Sequence, residues 1–364
     1  MANRPELRYF GRMFLIGVGT AAPDRRYTQL EAWETARSSE WMGRLKPRSQ
    51  YLVEQVLTGD SGIDSRHLAL DAMTDVFALD PDTLHARFER HAPALAIRAA
   101  RRALAQAEVD PRTVDALLIS TCTGYLCPGL TSYVSEALGL RADTQLLDLV
   151  GQGCGAALPN LRTAGALLRA GEASRTLTIC VEVCSAAMYL DDDPGVLISA
   201  CLFGDGAAAV VASDHPPSDR RRIRWCEGAS LIEPEARDTL RFEQRDGMLR
   251  NLLARDVPSR AARHAAALLD RLLSIRQLKR SDIRAWLIHP GGRDVLLALR
   301  ETIGISDSDL ASSAAVLREY GNLSSASVLF VLAAALASPA PGGWWWMSSF
   351  GAGFSCHGAL LEAE

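Results

Sequence analysis

No apolar run in this chain of 364 residues approaches the roughly 18 residues that a membrane-spanning helix requires. The segment Met1 to Phe10 lacks the apolar stretch of a secretory signal and carries charges at Arg4, Glu6 and Arg8 instead. An excess of positive charge is also missing. The formal net charge is -4, which removes the electrostatic basis for a nucleic-acid partner, and the short cluster Arg220-Arg221-Arg222 reads as a solvated loop. Metal-ligand patterns are absent too. Cys122 with Cys127, and Cys180 with Cys184, fall in a loose ligand spacing, but neither is C-x-x-C and no second pair or histidine cluster follows. The eight cysteines (also Cys154, Cys201, Cys226 and Cys356) lie mostly in apolar or Gly/Ala-rich segments, where a free thiol packs as a small hydrophobe. Without a signal segment, a reducing cytoplasmic setting is expected.

What is present is ordinary soluble composition, 48% hydrophobic and 23% charged, in a length that suits one large domain or two similar halves. Strand patterns occur at Met13–Val18, Asp115–Ser120, Arg175–Val183, Ala207–Ala212 and Ala285–His289. Helical patterns occur at Leu30–Glu40, Ala94–Ala107 with Pro93 at its start, Ser132–Leu138, Ala261–Ile275 and Arg293–Ile303. Val328–Leu336 reads as a short buried helix. Strands alternating with helices imply a layered α/β architecture. An internal echo suggests duplication: Phe203-Gly204-Asp205-Gly206 and Phe350-Gly351-Ala352-Gly353 each feed a mostly apolar stretch. The expected division is 1–212 and 213–364.

Three polar residues stand in settings that favour chemistry. Cys154 lies in Gly151-Gln152-Gly153-Cys154-Gly155, ahead of a helix, where a helix N-terminus is expected to lower the thiol pKa. His289 comes off a strand before Pro290-Gly291-Gly292 and is suited to pair with that thiolate. Asn322 follows Gly321 and offers a neutral donor for an enolate or oxyanion. Papain-like proteases use the same three residue types, so the triad alone leaves the reaction open.

The surrounding segments resemble the type III polyketide synthases, the chalcone and stilbene synthase superfamily. The matching runs are Gly153-Cys154, Leu202 to Gly206, His289 to Gly292, Glu319 to Ala326 and Phe350 to Phe354. The resemblance implies a thiolase-like duplicated αβαβα fold in five layers and a homodimer. It also implies acyl-CoA and malonyl-CoA as substrates, with no resident cofactor. Cys154 would carry the starter; His289 and Asn322 would promote decarboxylation and hold the enolate; repeated condensation and ring closure would follow. Phe203 matches a gatekeeping aromatic, and Cys122, Thr123, Cys184, Gly291, Gly292, Ser324 and Phe350 fall at cavity positions. Cys127, before Pro128, would reach the partner subunit. The chain departs from the family where a second gatekeeping phenylalanine becomes Asn251, where a glycine-loop proline becomes Ala352, and where bases for coenzyme A phosphates are missing around Thr58-Gly59-Asp60-Ser61. Arg66, Lys46 and Arg48 are the remaining candidates there. Asn251 suggests a fatty acyl starter and an alkylpyrone or alkylresorcinol product. The alternatives are a single-condensation ketoacyl synthase III-like enzyme and a catalytically silent dimeric binding protein.

Overall fold

The computed structural model describes residues 13–217, 220–338 and 340–364, so Met1 to Phe10 and residues 218–219, close to the expected division at 212/213, lie outside the described residues. The first elements are β1 (Phe14–Ala21), β2 (Arg26–Thr28), α1 (Gln29–Arg37), α2 (Glu40–Arg44), α3 (Pro47–Thr58) and β3 (Ser65–His67). Next come α4 (Pro81–Ala107), β4 (Ala116–Ser120), α5 (Leu130–Leu138), β5 (Gln145–Leu149), α6 (Ala157–Ala170) and β6 (Arg175–Glu182). These are followed by α7 (Pro194–Leu202), β7 (Gly206–Ser213), β8 (Ile223–Ile232) and the hairpin of β9 (Leu240–Arg245) and β10 (Met248–Leu253). The chain continues through α8 (Val257–Arg276), β11 (Ile283–Ile288), α9 (Arg293–Ile303) and α10 (Ala311–Tyr320). It closes on α11 (Ser327–Ala337), β12 (Gly343–Gly351) and β13 (Ser355–Ala363).

Nine strands form one mixed sheet in the order β11-β12-β13-β8-β1-β7-β6-β4-β5. A pattern recurs within it. β4 runs parallel to β6, β6 antiparallel to β7, and β7 antiparallel to β1. Likewise β11 runs parallel to β12, β12 antiparallel to β13, and β13 antiparallel to β8. The two runs pair at Phe14 opposite Arg224 and Leu15 opposite Ile223, and Trp225 N donates to Met13 O at 2.9 Å.

Alternation along the strands builds the layers. On β7, Ala207, Ala209 and Val211 pack against Ala96, Ala99, Ala100 and Ala103 of α4, while Ala208, Val210 and Ala212 face the opposite way. That second face meets α6 and α11, whose Leu158, Leu161, Val328, Leu329 and Leu332 also pack on Trp225, Trp345 and Leu361 of the second run. The outer face of that run, including Trp346 and Leu360, is covered by Leu268, Leu269 and Leu272 of α8 and by Leu299 of α9. The result is helix, sheet, helix, sheet, helix.

Two boundaries differ from the sequence expectation. Pro93 lies inside a 27-residue helix instead of opening it. The start is Asp80, whose side chain accepts from Thr83 N at 2.9 Å, with Pro81 in the first turn. Phe88, Ala92, Leu95 and Ala96 bury on both sides of Pro93 in one core, which offsets the missing donor. The helix expected to reach Glu40 breaks at Ser38, because the Ser39 hydroxyl caps a new one by accepting from Met42 N at 3.2 Å.

Candidate active site

Cys154 occupies a single 3-10 turn, Gly153–Gly155, between β5 and α6, and is 8% exposed. Gly155 permits this approach: a Cβ there would stand 3.0 Å from His357 Cδ2 and 3.2 Å from Gly351 N. The Ser324 hydroxyl donates to Cys154 Sγ at 3.3 Å. Burial pushes the thiol up to about 12, outweighing the opposing pull of the Ser324 hydrogen bond. The lowered thiol pKa expected from the helix N-terminus is therefore not what the isolated site holds.

His289 follows β11, which pairs with β12, and its backbone N–H donates to Ser348 O at 2.9 Å. The ring is fully buried and meets Phe350 edge-on, with centroids 5.0 Å apart. Burial holds the imidazole down at about 3, so it is neutral, and neither ring nitrogen has a protein partner among the described residues. Gly291 leaves the ring accessible, since a Cβ there would sit 2.5 Å from Phe350 Cζ and 3.5 Å from His289 Nε2. Asn322 donates through Nδ2 to Gly291 O at 3.1 Å and accepts from Ser324 N at 2.8 Å. One Nδ2 hydrogen remains for a ligand. Its backbone bridges Phe203: Asn322 N donates to Leu202 O at 2.9 Å, and Gly204 N donates to Asn322 O at 3.0 Å.

Two cavities meet at this point, and Cys154 and Phe203 line both. The larger, with a volume of about 640 Å³, is a tunnel walled at its inner end by His289, Asn322, Gly291, Gly292 and Phe350. The smaller, about 40 Å³, is walled by Cys122, Thr123, Cys184, Ser324 and Asn251, and also by Leu240 and Phe242. Asn251 stands opposite Phe242 on the β9–β10 hairpin, so an aromatic ring remains on that wall although Asn251 lacks one. Asn251 Nδ2 donates to Ser199 Oγ at 3.1 Å.

Other candidates lie elsewhere. Arg66 is buried away from the tunnel wall, and its guanidinium donates to Gln29 Oε1 (3.1 Å), Ala200 O (2.7 Å) and Phe203 O (3.1 Å). It thus braces the end of α7 and Phe203. Lys46 and Arg48, at the start of α3, are exposed and do not line the tunnel. Cys127 is exposed and lines neither cavity.

Sequence reasoning missed Glu182. This fully buried residue at the end of β6 accepts from Cys122 N at 3.0 Å, Thr123 Oγ1 at 2.9 Å and the Ser325 hydroxyl, with the Cys122 thiol and Ser324 hydroxyl at 3.4 Å. Burial raises its carboxyl pKa. A lone acid in the apolar run Thr178-Ile179-Cys180-Val181-Glu182-Val183 was its available signal. Arg255 and Arg293, which line the tunnel, were missed as well.

Comparison with known proteins agrees with this geometry. A family described as FAE1/Type III polyketide synthase-like protein matches residues 21–227, and one described as chalcone and stilbene synthases, C-terminal domain, matches 229–361. The chain is similar to a 3,5-dihydroxyphenylacetyl-CoA synthase of Streptomyces toyocaensis, at 31% identity over 325 residues, 87% of this chain and 80% of that protein. It is similar to a 1,3,6,8-tetrahydroxynaphthalene synthase of Streptomyces peucetius subsp. caesius, at 30% identity over 352 residues, 95% of this chain and 92% of the relative. The crystal structure of PKS-I from the brown algae Ectocarpus siliculosus superposes with a TM-score of 0.89 at 27% identity, covering 99% of this chain and 100% of that one.

Proposed function

From the premise that this chain belongs to the type III polyketide synthases of the chalcone and stilbene synthase family, with their thiolase-like fold, we propose an iterative cycle centred on Cys154. The coarser activity is that of the family, a condensing acyltransferase that uses coenzyme A thioesters. Within it, the Cys154 proton passes to His289, and the sulfur attacks the starter thioester as coenzyme A leaves with that proton. Both residues line the same tunnel, so transfer between them creates opposite charges in one buried site, each offsetting part of the desolvation of the other. Malonyl-CoA then loses its carboxylate as carbon dioxide. His289 and the free Nδ2 hydrogen of Asn322 hold the enolate oxygen. The enolate carbon attacks the Cys154 thioester, expels the thiolate, and leaves a chain longer by two carbons on coenzyme A. Return of that chain to Cys154 repeats the cycle before cyclisation.

The observation that carries this reading is the meeting of the tunnel and the small cavity at Cys154, with His289 and Asn322 at the tunnel's inner end. The small cavity, at about 40 Å³, supports a short starter in preference to the long-chain alkylpyrone or alkylresorcinol route. We further propose a homodimer. It is supported by exposed apolar residues on and just after the sheet-edge strand β5, Leu146 and Val150 (62% exposed), and by the exposed Tyr125 (71%) and Cys127 of the loop before α5. The halves 1–212 and 213–364 would be its duplicated units, working in a reducing cytoplasm. Incubation with malonyl-CoA and a panel of acyl-CoA esters, read by product mass, tests the cycle. Products with two or more added units are expected, and none from Cys154→Ala; a single added unit would favour a one-step condensing enzyme.

A further inference from the structure

The tunnel described above ends at a rim of five charged residues: Asp60, Asp193, Asp294, Arg255 and Arg293. Taken as a sum, three acids against two bases is a poor collar for a polyanion. The pairing of those charges changes that picture. Asp193 is committed twice, capping α7 by accepting from Gly195 N at 2.8 Å and pairing with Arg250 Nη2 at 3.2 Å. Asp60 and Asp294 both lean on Arg293, with Asp60 Oδ2 at 3.1 Å from Nη1 and Asp294 Oδ1 at 3.6 Å from Nε. Both carboxylates are largely exposed, so these pairs are weak and yield readily to a more highly charged anion. Arg255 has no hydrogen-bond or ion-pair partner among the described residues.

We propose that Arg255 and Arg293 grip the phosphates of coenzyme A. In this proposal Asp60 is a place-holder that occupies Arg293 in the empty enzyme and is released when the phosphates arrive. This rests on the reading of the chain as a user of coenzyme A esters and adds the residues that recognise the carrier. Arg255 lies just before α8 and Arg293 opens α9, while the tunnel-lining residues of α3, Gln55 and Val56, carry no charge. A guanidinium suits the task because its planar fork meets phosphate oxygens in pairs. A phosphopantetheine arm presents the same chemistry with a single phosphate, whereas coenzyme A presents a pyrophosphate and a 3′-phosphate. The presence of two separate arginines favours the latter.

Calorimetric titration of the full chain with coenzyme A, 4′-phosphopantetheine and pantetheine tests this without requiring turnover. The double variant Arg255→Gln/Arg293→Gln is expected to weaken coenzyme A binding about tenfold or more, as loss of charge-assisted hydrogen bonds does, and to leave pantetheine unaffected. Asp60→Asn is expected to tighten coenzyme A, and added salt to weaken it in the unsubstituted protein. Equal weakening for coenzyme A and pantetheine, or none for either, overturns the proposal. So does a phosphopantetheine affinity equal to that of coenzyme A and equally sensitive to the double variant, which would assign the rim to a carrier-protein arm. Product formation is assayed separately, so failure of the condensing cycle and failure of the phosphate grip are distinguishable.

Discussion

At the scale of single residues, the site holds its charges in reserve. Burial keeps the Cys154 thiol at about 12 and the His289 imidazole at about 3, so neither ionises alone. The nearest fixed carboxylate, Glu182, is held behind them by the donors of Cys122, Thr123 and Ser325. That arrangement makes Glu182 a brace for the cavity wall. Glu182→Gln turns an amide donor toward groups that are themselves donors, and about 1–3 kcal/mol of stability is expected to be lost. Denaturant titration measures it, and an unchanged midpoint would remove Glu182 from this role. Cys154 was legible in the sequence because it lies between glycines, and His289 and Asn322 because each stands next to a glycine-bearing turn. Glu182 was not, because its partners come from two distant parts of the chain, the loop of Cys122 and Thr123 and the turn of Ser324 and Ser325. Arg66 misled for a related reason: a lone base near a phosphate-binding segment looks the same whether it faces a tunnel or the end of α7.

Among the elements, the β9–β10 hairpin sets one wall of the smaller cavity with Leu240, Phe242 and Asn251. Asp246 and Gly247 both adopt positive φ (51° and 76°), the two-residue turn that sets Arg245 opposite Met248. Counting back from that turn puts Phe242 across from Asn251, and Leu240 across from Leu253. Arg250, on the other face, pins the hairpin to Asp191 at 2.9 Å and Asp193 at 3.2 Å. Phe242→Ala is therefore expected to enlarge the cavity by most of a ring, admitting longer starters or at least one further two-carbon unit. Product masses from parallel incubations check this, and identical mass distributions would show that Phe242 does not limit growth. The Asp-Gly turn was present in the sequence, but the cavity to which each face belongs was not. Reading Asn251 by itself suggested a wall without an aromatic ring; its cross-strand neighbour Phe242 supplies one. Strands β1, β4, β6, β7 and β11 of the main sheet were more legible, because their apolar runs are mostly buried on both faces, whereas the half-exposed β5 was not read as a strand. Pro93 marks the opposite case, where packing against one core overrides a local breaker.

For the whole molecule, the repeated strand pattern brings two distant segments together beneath Cys154. Arg162 on α6 donates to Ser230 Oγ of β8 at 2.7 Å, and that oxygen lies 2.8 Å from His357 Nδ1 of β13. The His357 ring in turn closes on Gly155, beside Cys154. One half supplies the cysteine and its helix, and the other supplies the floor they rest on. Burial, helped by the nearby Arg162 cation, holds His357 down at about 4, against about 6.5 for a free histidine. Between those values the unfolded chain binds a proton that the folded one refuses, so stability is fully present above about pH 6.5 and is lost as pH falls toward 4. Lowering the pH from 7 to 5 is expected to cost about 2 kcal/mol through this group alone. His357→Gln removes that titration, so the variant should lose about 2 kcal/mol less over the same interval, whatever its stability at pH 7. Denaturant midpoints for both proteins at the two pH values give the comparison. Equal losses would mean that His357 binds its proton in the folded state, and that the floor beneath Cys154 is open to water.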